Sequence, residues 1–173
     1  MTAENVFDLP AWPYPRWVAH RGAGKLAPEN TLAAFNAGAA HGFRMFECDV
    51  KLSADGVAFL LHDDTLDRTT DGDGPAGMQP WSELQLLDAG RWHSAAHAGE
   101  RLPRLSSVAR WCQANHALLN IEIKPTPGLE RHTGEVVAQH AARHFAPRVR
   151  VALALGQVLG DDGRPRAVLA VDA

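Results

Sequence analysis

Between Met45 and Leu52, polar and apolar positions alternate without a break. Met45, Glu47, Asp49 and Lys51 project to one side, and Phe46, Cys48, Val50 and Leu52 to the other. A period of two predicts a strand. Ser53-Ala54-Asp55-Gly56 then predicts a turn, and residues 57–61 a second strand ending at His62-Asp63. A later run alternates in the same way, with Asn120, Glu122 and Lys124 on one face and Leu119, Ile121 and Ile123 on the other. Residues 17–19 predict a short strand ending at His20-Arg21-Gly22, where Gly22 and Gly24 form a loop whose N–H groups can approach a ligand. Residues 148–155 predict one more strand.

Between these runs the period lengthens. Pro28-Glu29-Asn30-Thr31 predicts a helix start with Asn30 or Thr31 as its cap, Leu32, Phe35 and Ala39 as one face, and Gly42 as its end. A helix over 105–115 turns Leu105, Val108, Trp111 and Cys112 inward, and one over 130–145 buries Val137, Ala141 and Phe145. The stretch from Asp64 to Leu102 has no long periodicity, only a short helix near 82–86 and apolar residues such as Trp81 and Trp92 that read as packing. A long excursion of this kind in a compact domain is usually functional.

Strand alternating with helix argues for a parallel α/β sheet. The polar groups gather at strand ends: His20, Glu47 with Asp49, His62, and Glu122 with Lys124. Side chains contributed from several strand ends are the pattern of a β/α barrel, whereas a doubly wound sheet concentrates them at one switch point. No dinucleotide-binding glycine fingerprint and no P-loop is present. The predicted fold is therefore a TIM-type barrel that is incomplete, with about four to five of eight β/α units and an insertion after the third strand. The predicted organisation is an extended arm over 1–16, a partial barrel over 17–146 with its insertion at about 64–102, and a divergent tail over 147–173. In that tail Gly160-Asp161-Asp162-Gly163 separates two apolar runs and reads as a hairpin turn. An open barrel edge predicts a homo-oligomer or a second chain that completes the wall.

Composition narrows the partners. The net charge of -3 over 173 residues gives no basic footprint, so neither nucleic acid nor membrane insertion is expected. No signal segment and no long apolar span is visible, which predicts a cytoplasmic protein. Cys48 and Cys112 read as buried small hydrophobes, not as a disulfide. His140 and His144 lie one helical turn apart but lack a third ligand, so they read as a solvated face.

The remaining polar set has a coherent chemistry. Glu47 and Asp49 sit one pleat apart, about 7 Å along the backbone. Two such acids directed into a protein repel unless a proton or cation lies between them. With Glu122 they offer hard oxygen ligands suited to Mg²⁺ or Ca²⁺. Two imidazoles, His20 and His62, can serve as general base and acid, Arg21 is a fork-shaped donor matched to phosphate or carboxylate oxygens, and Lys124 adds a point charge. The lesser reading of Glu122 and Lys124 is an internal ion pair that serves only the fold, and Glu29 can simply charge the first turn of its helix.

These residues also carry a resemblance. H-R-G at 20–22, P-E-N-T at 28–31, E-C-D at 47–49, H-D at 62–63, R-T-T-D-G at 68–72, L-D-A-G-R-W at 87–92 and I-E-I-K-P at 121–125 resemble the glycerophosphodiester phosphodiesterase family, in order and spacing, over about residues 17–145. The resemblance implies a barrel enzyme that hydrolyses a small-molecule glycerophosphodiester to glycerol 3-phosphate and an alcohol. It implies His20 and His62 as the acid–base pair and Glu47, Asp49 and Glu122 as ligands of a divalent metal, Ca²⁺ or Mg²⁺. Arg21 and Lys124 would bind the phosphate, with Glu29, Asn30 and Asp63 supporting them. A shortened relative that keeps the metal and phosphodiester site but turns over poorly is the alternative expectation.

Overall fold

The computed structural model describes residues 14–145 together with the strands Val151–Leu155 and Val168–Val171. Most of the predicted arm and the predicted turn at 160–163 lie outside the described residues, as does the Phe145 side chain.

Residues 17–19 do not form a three-residue strand. Ala19 alone bridges Phe46, donating to the Met45 carbonyl and accepting from Glu47 N–H at 2.9 Å each. The chain turns at once because Gly22 N–H donates to the Ala19 carbonyl and Gly24 N–H to the His20 carbonyl. Those bonds occupy the N–H groups of both glycines, so neither of these two faces a ligand. The turn needs glycine for its shape: Gly22 has φ +92°, and a Cβ there would lie 2.8 Å from that of Ala34.

Thr31 is the cap of helix α1, Leu32–Ala40, its hydroxyl accepting from Ala34 N–H at 3.3 Å. Asn30 is thereby left for another role. The helix ends as predicted: Gly42 at φ +84° donates to the Ala39 carbonyl and Phe43 N–H to that of Gly38.

Strand β1, Met45–Leu52, is buried along its whole length, so the alternation separates an apolar core face from a buried polar face. Strand β2, Ala58–Leu60, runs antiparallel to β1 with Val50 opposite Leu60. This corrects its expected place in the parallel set. A connection of five residues, 53–57, can close a hairpin but not a parallel crossover. Helix α2, Trp81–Leu84, and two short 3₁₀ turns follow. Phe59, Leu61, Leu66, Ala76, Trp81, Leu84, Ala89 and Leu102 give this excursion an apolar cluster of its own. Trp92, expected to pack, is 41% exposed. Asp88 organises the same loop by accepting from the N–H groups of Gly90, Arg91 and Gly99.

Helix α3, Leu105–Asn115, leads to strand β3, Leu118–Ile123, and helix α4, Glu130–Phe145, to strand β4, Val151–Leu155. β1, β3 and β4 are mutually parallel, and β5, Val168–Val171, closes the row antiparallel to β4. Leu105, Val108 and Cys112 of α3 and Val137 of α4 join Phe46, Cys48, Val50, Leu119, Ile121 and Ile123 in the main core. Both cysteines are buried and free. With parallel strands inside and helices outside, the described residues form part of a β/α barrel wall.

Candidate active site

The polar face of β1 and the facing edge of β3 bring three carboxylates together. Asp49 lies in register with Glu122 across the parallel pair, and Glu47 is two residues earlier on the same face. One oxygen from each lies within 4.8 Å of the others. Glu47 and Asp49 are buried, whereas the Glu122 side chain is 27% exposed.

Such crowding has to be compensated, and the compensation is local. Asn30 donates from Nδ2 to Asp49 Oδ2 at 2.9 Å and accepts from Asp49 N–H at 3.1 Å. Arg21 Nε lies 3.3 Å from the same Oδ2, and Arg21 N–H donates to Glu47 Oε2 at 2.9 Å. Arg21 reaches this position through a left-handed backbone, φ +52°. Burial, and next the charge of Asp49, push the Glu47 carboxyl up to about 8. Glu47 Oε1 and Asp49 Oδ1 remain buried without a hydrogen-bond partner. Two orphaned acceptors beside a third carboxylate make an all-oxygen donor set that fits a hard divalent cation.

Cationic and imidazole groups line the rim. Lys124 Nζ is 2.6 Å from Glu122 Oε1 and 3.7 Å from Asp49 Oδ1. His20 Nε2 lies 3.8 Å from Glu47 Oε2, with most of its ring exposed. His62 Nδ1 is 2.6 Å from Asp63 Oδ1. Hydrogen bonds from Arg68 hold the Asp63 carboxyl well below the usual carboxylate range against the opposing effect of burial. An ionised carboxylate only accepts, so the shared proton sits on Nδ1 and the lone pair on Nε2.

Every residue predicted for the site belongs to one connected set of contacts. Two members were not foreseen. Arg68 spans Glu29 and Asp63, joining the His62 arm to Arg21. Its signal was present in R-T-T-D-G at 68–72, which reads locally only as a turn. Lys51 is 1% exposed and donates to Asp64 Oδ1 at 2.8 Å and to the Lys124 carbonyl at 3.2 Å. It lay on the same predicted strand face as the two acids.

The chain is similar to proteins of one family. YhdW of Bacillus subtilis is 42% identical over 125 residues, covering 70% of this chain and 51% of its own length. The glycerophosphodiester phosphodiesterase of Caldanaerobacter subterraneus subsp. tengcongensis is 38% identical over 136 residues, covering 76% of this chain and 55% of that protein. Among solved structures, a phosphodiesterase of Oleispira antarctica in complex with the product sn-glycerol-3-phosphate superposes with a TM-score of 0.80 at 36% identity, over 83% of this chain and 58% of that one. The chain thus spans about half the length of the curated relatives it matches. Among the described residues no helix is long and apolar enough to cross a membrane. The model of the glycerophosphoryl diester phosphodiesterase family matches residues 20–164, and the chain belongs to that family.

Proposed function

We propose that this chain carries a divalent-cation-dependent site for hydrolysis of glycerophosphodiesters, with His20 and His62 as its acid–base pair. The observation that supports it most directly is the cluster of Glu47, Asp49 and Glu122, with two buried oxygens lacking partners and imidazoles on its rim. Those three carboxylates would hold the cation, Ca²⁺ or Mg²⁺. When bound, it would supply positive charge to phosphoryl oxygens as negative charge grows on them.

The chain's own residues account for the rest. Arg21 offers its remaining N–H donors to a phosphate oxygen, and Lys124 adds a point charge once its carboxylate partners are engaged elsewhere. One histidine takes the proton from the glycerol hydroxyl as its oxygen bonds to phosphorus. The other gives a proton to the departing alcohol oxygen as its bond to phosphorus breaks. Water then opens the resulting cyclic phosphate, with the two histidines exchanging roles, to release glycerol 3-phosphate. Asp63 fixes the His62 tautomer, Glu29 holds Arg21, and Asn30 holds Asp49.

Release of glycerol 3-phosphate from glycerophosphocholine, followed with this purified chain with and without Ca²⁺ or Mg²⁺, tests the reading. Metal-dependent release that disappears in His20→Ala and in His62→Ala is the expected result. A well-folded chain that binds the cation but releases nothing under either metal sinks the enzyme and identifies a binding relative.

A further inference from the structure

We propose that Arg68 is a positioning residue that locks the His62 arm of the site to the Arg21 arm through one guanidinium. Its Nη1 and Nη2 donate to Glu29 Oε2 and Oε1 at 3.0 and 2.7 Å. Its Nε and Nη2 donate to Asp63 Oδ2 and Oδ1 at 2.5 and 3.1 Å. Each carboxylate is therefore held by two of its oxygens, along two edges of one planar fork. Glu29 passes the constraint to Arg21 through its Oε1, 2.8 Å from Nη1, and Asp63 passes it to His62 through its Oδ1.

The two arms come from distant parts of the chain. Glu29 precedes α1, and Asp63 follows β2. Arg68 itself lies in the excursion, outside the parallel strands that carry the acids. No contact joins it to Glu47, Asp49 or Glu122 among the described bonds, so its effect on chemistry runs through its partners. Its side chain is 45% exposed. Its carboxylate partners are less open, Glu29 at 13% and Asp63 at 26%, and each of them also holds a residue of the site, Arg21 or His62, so the guanidinium fixes the orientation of both. A lysine ammonium at this position keeps the charge but cannot reproduce the fork.

The inference rests on the phosphodiesterase reading for its kinetic consequence but not for its structural one. In Arg68→Ala, kcat/KM should fall about a hundredfold, the scale of a small misplacement of reacting groups. Both parameters should move: KM because Arg21 loses its brace, and kcat because His62 loses its own. Millimolar guanidinium should restore part of the activity of Arg68→Ala, while Arg68→Lys should stay impaired. Independently of turnover, ¹⁵N shifts of the His62 ring should show a single Nδ1–H tautomer in the parent chain and a mixture in Arg68→Ala. Should Arg68→Ala not fold, Arg68→Lys carries the same measurements. Parent-like kinetics and an unchanged His62 tautomer in the folded variant would overturn the proposal and leave the phosphodiesterase intact. A parent chain without turnover instead removes the enzyme reading, and the tautomer measurement alone then decides the role of Arg68.

Discussion

Asn30 and Asp49 grip each other twice, the amide donating to the carboxylate at 2.9 Å and accepting from the Asp49 backbone N–H at 3.1 Å. The asparagine amide carries its donor and its acceptor on two separate atoms, so it can hold the side chain and the backbone of Asp49 at once, and asparagine tolerates the φ of +59° found here. Asn30→Ala leaves a buried N–H without an acceptor, at a cost of about 1–3 kcal/mol. It should also weaken divalent-cation binding about 10–100-fold by freeing a ligand to rotate. Thermal unfolding without metal and calorimetric titration with Ca²⁺ check the two effects. A variant matching the parent in both would refute the clamp.

Glu47 predicts an unusual pH dependence. Its carboxyl is raised from 4.5 to about 8. A group shifted upward stabilises the folded chain below its unfolded pKa and loses that contribution as pH rises through the folded value. The metal-free chain should therefore lose stability between about pH 4.5 and 8, with a slope of at most about 1.4 kcal/mol per pH unit. Saturating Ca²⁺ should abolish the slope and release a proton on binding. Glu47→Gln should abolish it without metal. Comparing parent and variant isolates Glu47 from His140, which burial shifts downward and whose contribution runs in the opposite sense. Asp63 acts only in acid, stabilising above 3.8 and losing that contribution as pH falls. Denaturant midpoints across this range are the measurement.

Gly38→Ala sets helix propensity against packing. Alanine in a helix interior gains about 1 kcal/mol over glycine. A Cβ at Gly38 would lie 2.7 Å from Phe46 Cε1 and closer still to the Gly22 carbonyl. Overpacking of this kind costs about 1–3 kcal/mol, so the substitution should lower the melting temperature. The yielding neighbour is the loop carrying His20 and Arg21, so turnover should fall as well.

Lys51 separates charge from volume. Its partner Asp64 is 73% exposed, so removing the ammonium leaves no buried anion behind. Lys51→Met keeps the stem that fills the interior and should cost under about 1.5 kcal/mol. Lys51→Ala opens a cavity and should cost about 2–5 kcal/mol. Equal melting temperatures for the two variants would contradict this account.

The elements that sequence made legible are those whose pattern is local. The alternation in β1 and β3 placed Glu47, Asp49 and Glu122 on facing edges, and α3 spans the predicted 105–115. Strand direction is not local. A period of two says which face a residue takes but not which way its neighbour runs; for β2 that direction follows from the shortness of the connection after β1 and not from the alternation. Arg68 is hidden for a related reason: its bond to Glu29 crosses 39 positions, and R-T-T-D-G by itself shows a turn and not that partner. Asn30 was recognised but given two roles, and the structure divides them, with Thr31 capping the helix.

The double use of β1 has a consequence for how this chain can vary. Val50 pairs with Ile123 on one side and Leu60 on the other, so the strand bearing the acids and the strand leading to His62 share one register. Strand side chains repeat every two residues, and a slip of one exchanges the two faces. A single-residue deletion anywhere from 45 to 52 should therefore be lethal to the site, because it moves carboxylates and core residues into each other's places. Lengthening the turn at its exposed residues Ala54-Asp55, or the loop near Gly99, should be tolerated, since neither changes that pairing. Length variation in natural or engineered versions of this chain is thus expected to collect at the loop tips and to stop where the hairpin begins.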